Sequence, residues 1–318
     1  MQTPTLRQLE YIVAVADTGQ FVEAARRCAV SQPALSKQVR EVEEMWGVTL
    51  FERTRPRVIV TPAGAELVQR ARHLLTQAQE LGHAASRLSG RRQGTLRLGV
   101  IPTIAPYGLP GLLARLRGLY PEVSFAIHEL QTDVLLEHLR AGHVDLGLLA
   151  LPFDARGFVG EDLVVEPFVF VAPADHALSV PGDMEVEDLR GTDLLLMEDG
   201  HCLRDQALEV CAVAQAVGAT SVTAASVSTL ARMVESGLGA TLMPASALSA
   251  EVRPSHGLVA RSFGGDPPGR TLTLQWRASS PDAAWFEQLA QVFRAHYLEL
   301  NDTVPEVFGQ RPRICAAP

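Results

Sequence analysis

Ser31-Gln32-Pro33-Ala34-Leu35-Ser36-Lys37-Gln38-Val39-Arg40-Glu41-Val42-Glu43 decides how the first part of this chain folds. Ser31 is a good N-cap, and Pro33 is tolerated in a first helical turn. Leu35, Val39 and Val42 then carry a helix toward Gly47. Upstream, Leu6, Leu9, Ile12, Val13 and Ala16 recur at helical spacing until Gly19. A second short helix is expected from about Phe21 to Cys28, with Ala24 and Ala25 small enough for close packing. Three short helices with a tight turn before the third describe a helix-turn-helix. Gln32, Ser36 and Gln38 can bond base edges or phosphates, and Lys37 and Arg40 can neutralise phosphate. The competing reading is a surface helix whose polar face is merely solvated, but the caps and turns of a DNA-reading motif are all in register.

Downstream, Leu50-Phe51-Glu52-Arg53-Thr54-Arg55-Pro56-Arg57-Val58-Ile59-Val60 alternates enough for a two-stranded wing, with Arg53, Arg55 and Arg57 available to the DNA backbone. Thr61-Pro62 then opens a long helix to about Leu88, whose stripe of Leu67, Leu74, Leu75 and Leu81 predicts pairing with a second copy. The polar run Gly90-Arg91-Arg92-Gln93-Gly94 marks a change of architecture. Beyond it, β-like runs at 95–101, 124–129 and 144–149 alternate with helical runs, which implies parallel sheet covered by helices. The pattern resumes at Val164–Val171, Leu194–Met197 and Ala240–Leu242, and closes with Thr271–Trp276 and a helix from Asp282 to Tyr297. We read this as two similar α/β lobes between which the chain crosses twice. The expected divisions are a winged helix-turn-helix at 1–60, a linker and dimerisation helix at 61–92, and lobe I at 93–164 with 270–300. Lobe II spans 165–269, and 301–318 is expected to be a loosely ordered tail.

The 318 residues, 47% hydrophobic and 20% charged, can bury substantial cores. A net charge of −8 argues against nucleic acid if taken whole, but residues 1–92 carry 13 Lys and Arg against 9 Asp and Glu, and the remainder 15 against 27. A mildly basic module is joined to an acidic one. Neither a basic, apolar leader nor an apolar run long enough to cross a bilayer occurs, so the cytoplasm is expected, with no membrane partner. Four cysteines in such a chain do not make a disulfide framework.

Two of them, Cys202 and Cys211, bracket Gly200-His201-Cys202-Leu203-Arg204-Asp205-Gln206-Ala207-Leu208-Glu209-Val210-Cys211. Along a helix, nine residues carry the second sulfur about 13 Å along the axis and onto the opposite face, whereas a disulfide needs Cα atoms within about 7 Å. If these thiols join, any helix between them must come apart. Cys202 follows a strand and turn, near a helix N-terminus that favours a thiolate, with Arg204 or a protonated His201 as possible cationic help and Glu198, Asp199 and Asp205 opposing it. No Cys-x-x-Cys pair or second His cluster stands at ligand spacing, so neither a metal nor a cofactor is expected. Cys28 reads as a small packed hydrophobe and Cys315 as an exposed tail thiol.

The helix at 31–43 resembles the recognition helix of the LysR-type transcriptional regulators, and Glu198-Asp199-Gly200-His201-Cys202-Leu203-Arg204-Asp205-Gln206-Ala207-Leu208 resembles the redox segment of their hydrogen-peroxide-sensing, OxyR-type branch. The resemblance covers the chain to about Tyr297. It implies an α/β regulatory domain of two periplasmic-binding-protein-like lobes behind an all-α winged helix-turn-helix. It also implies double-stranded promoter DNA as partner, contacted by Ser31, Gln32, Pro33, Ser36, Lys37, Arg40, Arg53 and Arg55. Self-association as a homodimer and homotetramer, and contact with RNA polymerase, are implied too. Cys202 would attack hydrogen peroxide in a pocket of Thr103, Thr132, His201 and Arg277, and Cys211 would resolve the sulfenic acid to a disulfide. Individual roles have rivals: Thr132 can cap its helix, Thr103 can serve a turn, Arg277 can form a structural ion pair, and Cys211 can be an inert core thiol. A LysR-type regulator answering a small metabolite between the lobes, and a thiol peroxidase carrying a DNA-binding arm, are the competing whole-protein readings. No enzymatic turnover is expected.

Overall fold

The computed structural model describes residues 3–53, 58–88, 93–252, 257–300 and 312–317. The chain divides into two compact units, Met1–Arg91 with Ala141–His143, and Arg92–Arg140 with Val144–Pro318.

In the first unit, α1 (Leu6–Thr18) begins at a capping box in which Thr5 accepts from the Gln8 amide and Gln8 accepts from the Thr5 amide. It stops at Gly19, whose φ of 62° is left-handed and open to glycine without strain. After α2 (Phe21–Arg27), Ser31 caps α3 (Gln32–Trp46) by accepting from the Ala34 amide at 3.4 Å. Leu35, Val39 and Val42 are wholly buried against Ile12, Val15 and Ala24, which leaves Gln32, Pro33, Lys37 and Arg40 exposed and Ser36 half-buried. The wing strands β1 (Phe51–Arg53) and β2 (Val58–Val60) pair antiparallel. Glu43 anchors them to α3, because its Oε1 accepts from the amides of Leu50 and Phe51 at 2.8 and 3.2 Å. The long α4 (Pro62–Leu88) rests Leu67 and Leu75 on the core, while Leu74 and Leu81 stay exposed.

The second unit is built on β6 (Phe158–Pro173), a 16-residue strand that belongs to both lobes. Here the structure extends the sequence reading, which began a strand at Val164: that run is part of one longer strand, whose opening residues Val159, Gly160, Glu161 and Asp162 are exposed or half-buried and so present no apolar run to mark them. Lobe I holds β3 (Gly94–Val100), parallel to β4 (Val123–Glu129) and β5 (Leu146–Ala150), with α5 (Ala105–Leu119) and α6 (Thr132–Arg140) on its faces. In lobe II, β7 (Asp193–Met197) lies parallel to β8 (Val217–Ala224), with α7 (Cys202–Ala214) between them in sequence. There follow α8 (Val227–Glu235), β9 (Thr241–Pro244), the single turn α9 (Leu248–Glu251) and β10 (Leu258–Arg261), of which β9 and β10 pair with the second half of β6. The return strand β11 (Gly269–Arg277) lies between the first half of β6 and β5, and α10 (Ala283–Glu299) covers it. Each lobe has its own core, one around Leu98, Leu148, Leu274 and Phe293, the other around Phe170, Leu196, Leu230 and Leu242.

Of the tail expected to be loosely ordered, residues 301–311 and 318 lie outside the described residues. Residues 315–316 form β12 (Cys315–Ala316) on the free edge of β6, and Ile314 enters the lobe I core. An unpaired edge and an apolar side chain to bury are the physical reason. Cys315 itself is exposed, and Cys28 is half-buried at the end of α2.

Candidate thiol site and DNA-reading helix

Cys202 is the first residue of α7, preceded by a turn that only glycine fits easily. Gly200 has φ 88°, and a Cβ there would stand 2.9 Å from Gln131 Oε1. Arg204 closes this turn by pairing with Asp199 at 2.8 Å and donating to the Met197 carbonyl at 2.9 Å. Its charge is thus spent on the turn, contrary to the expectation that it would serve the thiol.

The cation that acts on the sulfur is Arg270, which the sequence reading missed. Its side chain is wholly buried; Nε donates to Glu166 Oε2 at 2.8 Å, Nη1 to Thr103 Oγ1 at 2.8 Å and Nη2 to the Thr103 carbonyl at 3.1 Å. Glu166 also accepts from the Ser246 amide at 3.0 Å, so the network ties lobe I to lobe II. Arg270 and Glu166 face each other in the β11–β6 register. Glu166 is a single charge inside the apolar run Leu163–Ala172, which was the available signal.

Thr132, the first residue of α6, presents a buried hydroxyl with no conventional hydrogen-bond partner, yet close enough to Cys202 to favour its thiolate. It is not acting as an N-cap. Thr103 stands behind Arg270 and holds the guanidinium. His201 is buried beside the thiol, its Nε2 3.3 Å from Gln131 Nε2, and burial lowers its pKa against the smaller opposing pull of Glu198. It is therefore neutral near pH 7, and no imidazolium assists the sulfur. Arg277 is not brought to the site: it donates to the carbonyls of Leu139 and Val144 at 3.0 and 2.9 Å. Seven residues of strand place its Cα roughly 23 Å from that of Arg270 and on the opposite face of the strand.

Burial drives the Cys202 pKa up; Arg270, the Thr132 hydroxyl and the Leu203 amide pull it back, and Asp205 adds to the rise. The resting group is a protonated thiol with the Thr132 hydroxyl beside it and the Arg270 charge acting on it through space. Beside it opens a cleft of about 410 Å³ lined by Thr132, Asp133, Leu136, Glu137, Arg140 and Asp205, among others. Cys211 is buried in the lobe II core, whereas Cys202 packs against the lobe I core. Gln206, one turn beyond Cys202, donates to the Leu151 carbonyl at 2.7 Å and so fastens α7 to lobe I. Among the described residues, no group of His, Cys, Asp and Glu is placed to hold a metal ion.

At the DNA-reading helix, Lys37 pairs loosely with Glu41 at 3.8 Å and Gln38 donates to Glu41 at 2.8 Å. Gln38 is thereby drawn along the helix surface, while Gln32, Lys37 and Arg40 remain on the open face. Arg55 and Arg57 lie outside the described residues, as does the side chain of Arg53.

The profile of the bacterial regulatory helix-turn-helix proteins of the lysR family matches residues 6–65, and that of the LysR substrate binding domain matches residues 89–298. This chain belongs to the LysR family. Among LysR-family proteins it is 43% identical over 292 residues to the "Probable hydrogen peroxide-inducible genes activator" of Streptomyces viridosporus, covering 92% of this chain and 94% of that one. It is 40% identical over 290 residues to the "DNA-binding transcriptional dual regulator OxyR" of Escherichia coli, covering 91% and 95%. A solved full-length OxyR of Pseudomonas aeruginosa, carrying a cysteine-to-aspartate substitution, superposes with a TM-score of 0.74 at 36% identity, covering 92% and 96%. Like these LysR-type proteins, the chain joins a DNA-reading unit to a two-lobed regulatory unit. No helix among the described residues is long and apolar enough to cross a membrane.

Proposed function

We propose that this LysR-type regulator senses hydrogen peroxide through Cys202 and reports it to promoter DNA through α3 and the wing. The observation that carries the reading is the placement of Cys202 at the start of α7, beside the Thr132 hydroxyl and in the field of the buried Arg270, with Cys211 on the same helix. As the thiolate attacks, an S–O bond forms, the O–O bond breaks and hydroxide leaves with the electron pair, so peroxide is reduced and Cys202 becomes a sulfenic acid. Arg270 and Thr132 stabilise the charge that develops on the departing oxygen. The Cys211 thiol then attacks the sulfenic sulfur, water leaves, and the disulfide closes. Because one disulfide forms per peroxide, the protein acts as a stoichiometric sensor rather than an enzyme. We place it on DNA as a homodimer or homotetramer, in contact with RNA polymerase.

Mapping thiols by mass spectrometry after mild peroxide tests the chemistry, and footprints of the reduced and oxidised protein test the output. Cys202→Ser is expected to abolish the response to low peroxide and leave DNA binding intact, while Cys211→Ser stalls at the sulfenic or more oxidised states. Peroxide-dependent gene control that persists in Cys202→Ser overturns the reading.

A further inference from the structure

The cleft in front of Cys202 carries an uneven charge. Asp133, Glu137, Asp154 and Asp205 line it against one guanidinium, Arg140, with Leu136, Pro152 and Phe153 as apolar walls. Asp154 is compensated, since Arg156 grips it at 2.7 to 3.1 Å and holds its carboxyl at about 2, and Arg140 lies 3.9 Å away. The other three have no ion-pair partner among the described residues. Asp133 and Glu137 stand one turn apart on the exposed face of α6, and Asp205 lies in the first turn of α7, close enough to the sulfur to disfavour its anion. Arg270, which favours the thiolate, is wholly buried. The Thr132 hydroxyl, buried and without a conventional partner, lines the same cleft and offers a neutral polar molecule both a donor and an acceptor.

We propose that this cleft selects the oxidant by charge: neutral hydroperoxides reach Cys202, whereas anionic ones are held back by Asp133, Glu137 and Asp205. The proposal rests on Cys202 being the peroxide-reactive thiol. Hydrogen peroxide is uncharged at neutral pH and meets no penalty. An oxidant bearing one negative charge meets three carboxylates at the low-dielectric edge of the protein, where repulsion is only partly screened by salt. The selectivity is one of access, since the chemistry at sulfur is the same two-electron transfer: with peroxymonosulfate, the thiolate takes the terminal oxygen as OH, the O–O bond breaks and sulfate leaves.

The test compares hydrogen peroxide with peroxymonosulfate on the full-length protein, quenching at short times and measuring Cys202 oxidation by mass spectrometry. Each rate is normalised to that of the same oxidant with free cysteine thiolate. Asp133→Asn with Glu137→Gln is expected to raise the normalised peroxymonosulfate rate about threefold to tenfold at low ionic strength, and to leave the hydrogen peroxide rate unchanged. In the unaltered protein, raising ionic strength from about 0.01 to about 0.15 M should speed peroxymonosulfate and not hydrogen peroxide. A filter of bulk alone would give neither effect. Equal salt response for both oxidants, or an unaltered anion rate in the double variant, overturns the charge filter and leaves the sensor reading standing. Failure of hydrogen peroxide to oxidise Cys202 at all overturns both.

Discussion

Arg270 does two jobs with one guanidinium, and they can be separated by substitution. Arg270→Met would leave Glu166 as an uncompensated charge in a fully buried site, a loss of about 3–5 kcal/mol. The double change Glu166→Met with Arg270→Met should recover most of that loss in urea unfolding. Oxidation of Cys202 should stay slow in both variants, since neither has the cation near the sulfur. A double variant that regained full peroxide reactivity would remove Arg270 from the chemistry. The Cys202 pKa gives a second expectation at this scale. Burial raises it from an ordinary value near 9.0, so the thiolate is a small fraction at neutral pH. The oxidation rate should therefore climb about tenfold per pH unit through neutrality and continue past about pH 9. A plateau below about pH 8 would mean that the thiolate is better stabilised than these neighbours allow. His201 runs the other way: its folded pKa is lowered, so its contribution to stability is complete above the unfolded value of about 6.5 and is lost as pH falls through the lower folded value. Unfolding midpoints measured on either side of that window should differ less in His201→Asn.

At the scale of the element, α7 is the part under tension between two states. Its 13 residues are regular helix, which keeps Cys202 against one core and Cys211 inside the other. A regular helix holds the two sulfurs on opposite faces about 13 Å apart along the axis, so the disulfide can close only if residues 201–212 lose that helix. Hydrogen exchange should then differ most across this segment between reduced and oxidised protein. A verified disulfide with unchanged exchange there would refute the mechanism. The strap from the Gln206 amide nitrogen to the Leu151 carbonyl resists that change, although the Gln206 amide oxygen is buried with no hydrogen-bond partner among the described residues. Gln206→Ala is expected to leave the sulfenic acid step nearly unaltered and to speed disulfide closure several-fold, read by quenched alkylation. Equal effects on both steps would assign Gln206 to the peroxide site instead.

At the scale of the whole molecule, the two units meet different physical demands. The DNA-reading unit offers an exposed polar face on α3, where Arg40→Ala or Lys37→Ala should weaken binding to all sequences and lower the salt slope by about one. Gln32→Ala should instead relax the preference for the correct site. If all three changes acted equally on specific and random DNA, the assignment of Gln32 as a base reader would be wrong. Two copies joined along α4 would read a pseudo-palindrome with half-sites about one helical turn apart or a multiple of it. Leu74 and Leu81, exposed in the single chain, are the residues whose change to Glu should dissociate the copies in analytical ultracentrifugation. In the regulatory unit, β6 runs through both lobes, pairing with β11 along its first half and with β9 and β10 along its second.

The helix-turn-helix was legible because its information is local. Ser31 caps its own helix, Gly19 ends its own, and the spacing of Leu35, Val39 and Val42 sets which face is buried. The same holds for the alternation of strands and helices beyond residue 93, and for the conflict between a regular helix and a Cys202–Cys211 bond, which follows from helix geometry alone. The thiol's surroundings depended on residues far apart in sequence. Arg270 and Glu166 are 104 positions apart and meet only through the pairing of β11 with β6. Arg277, seven residues from Arg270 on the same strand, differs from it in burial and partners because of register alone. The described end of the chain depends on distant residues in the same way: β12 pairs with Val164 and Val165 of β6, and Ile314 packs in the lobe I core. Local spacing specifies what an element is, while the charge, burial and reach of a site are set by which elements come to stand around it, and that is decided by the tertiary structure.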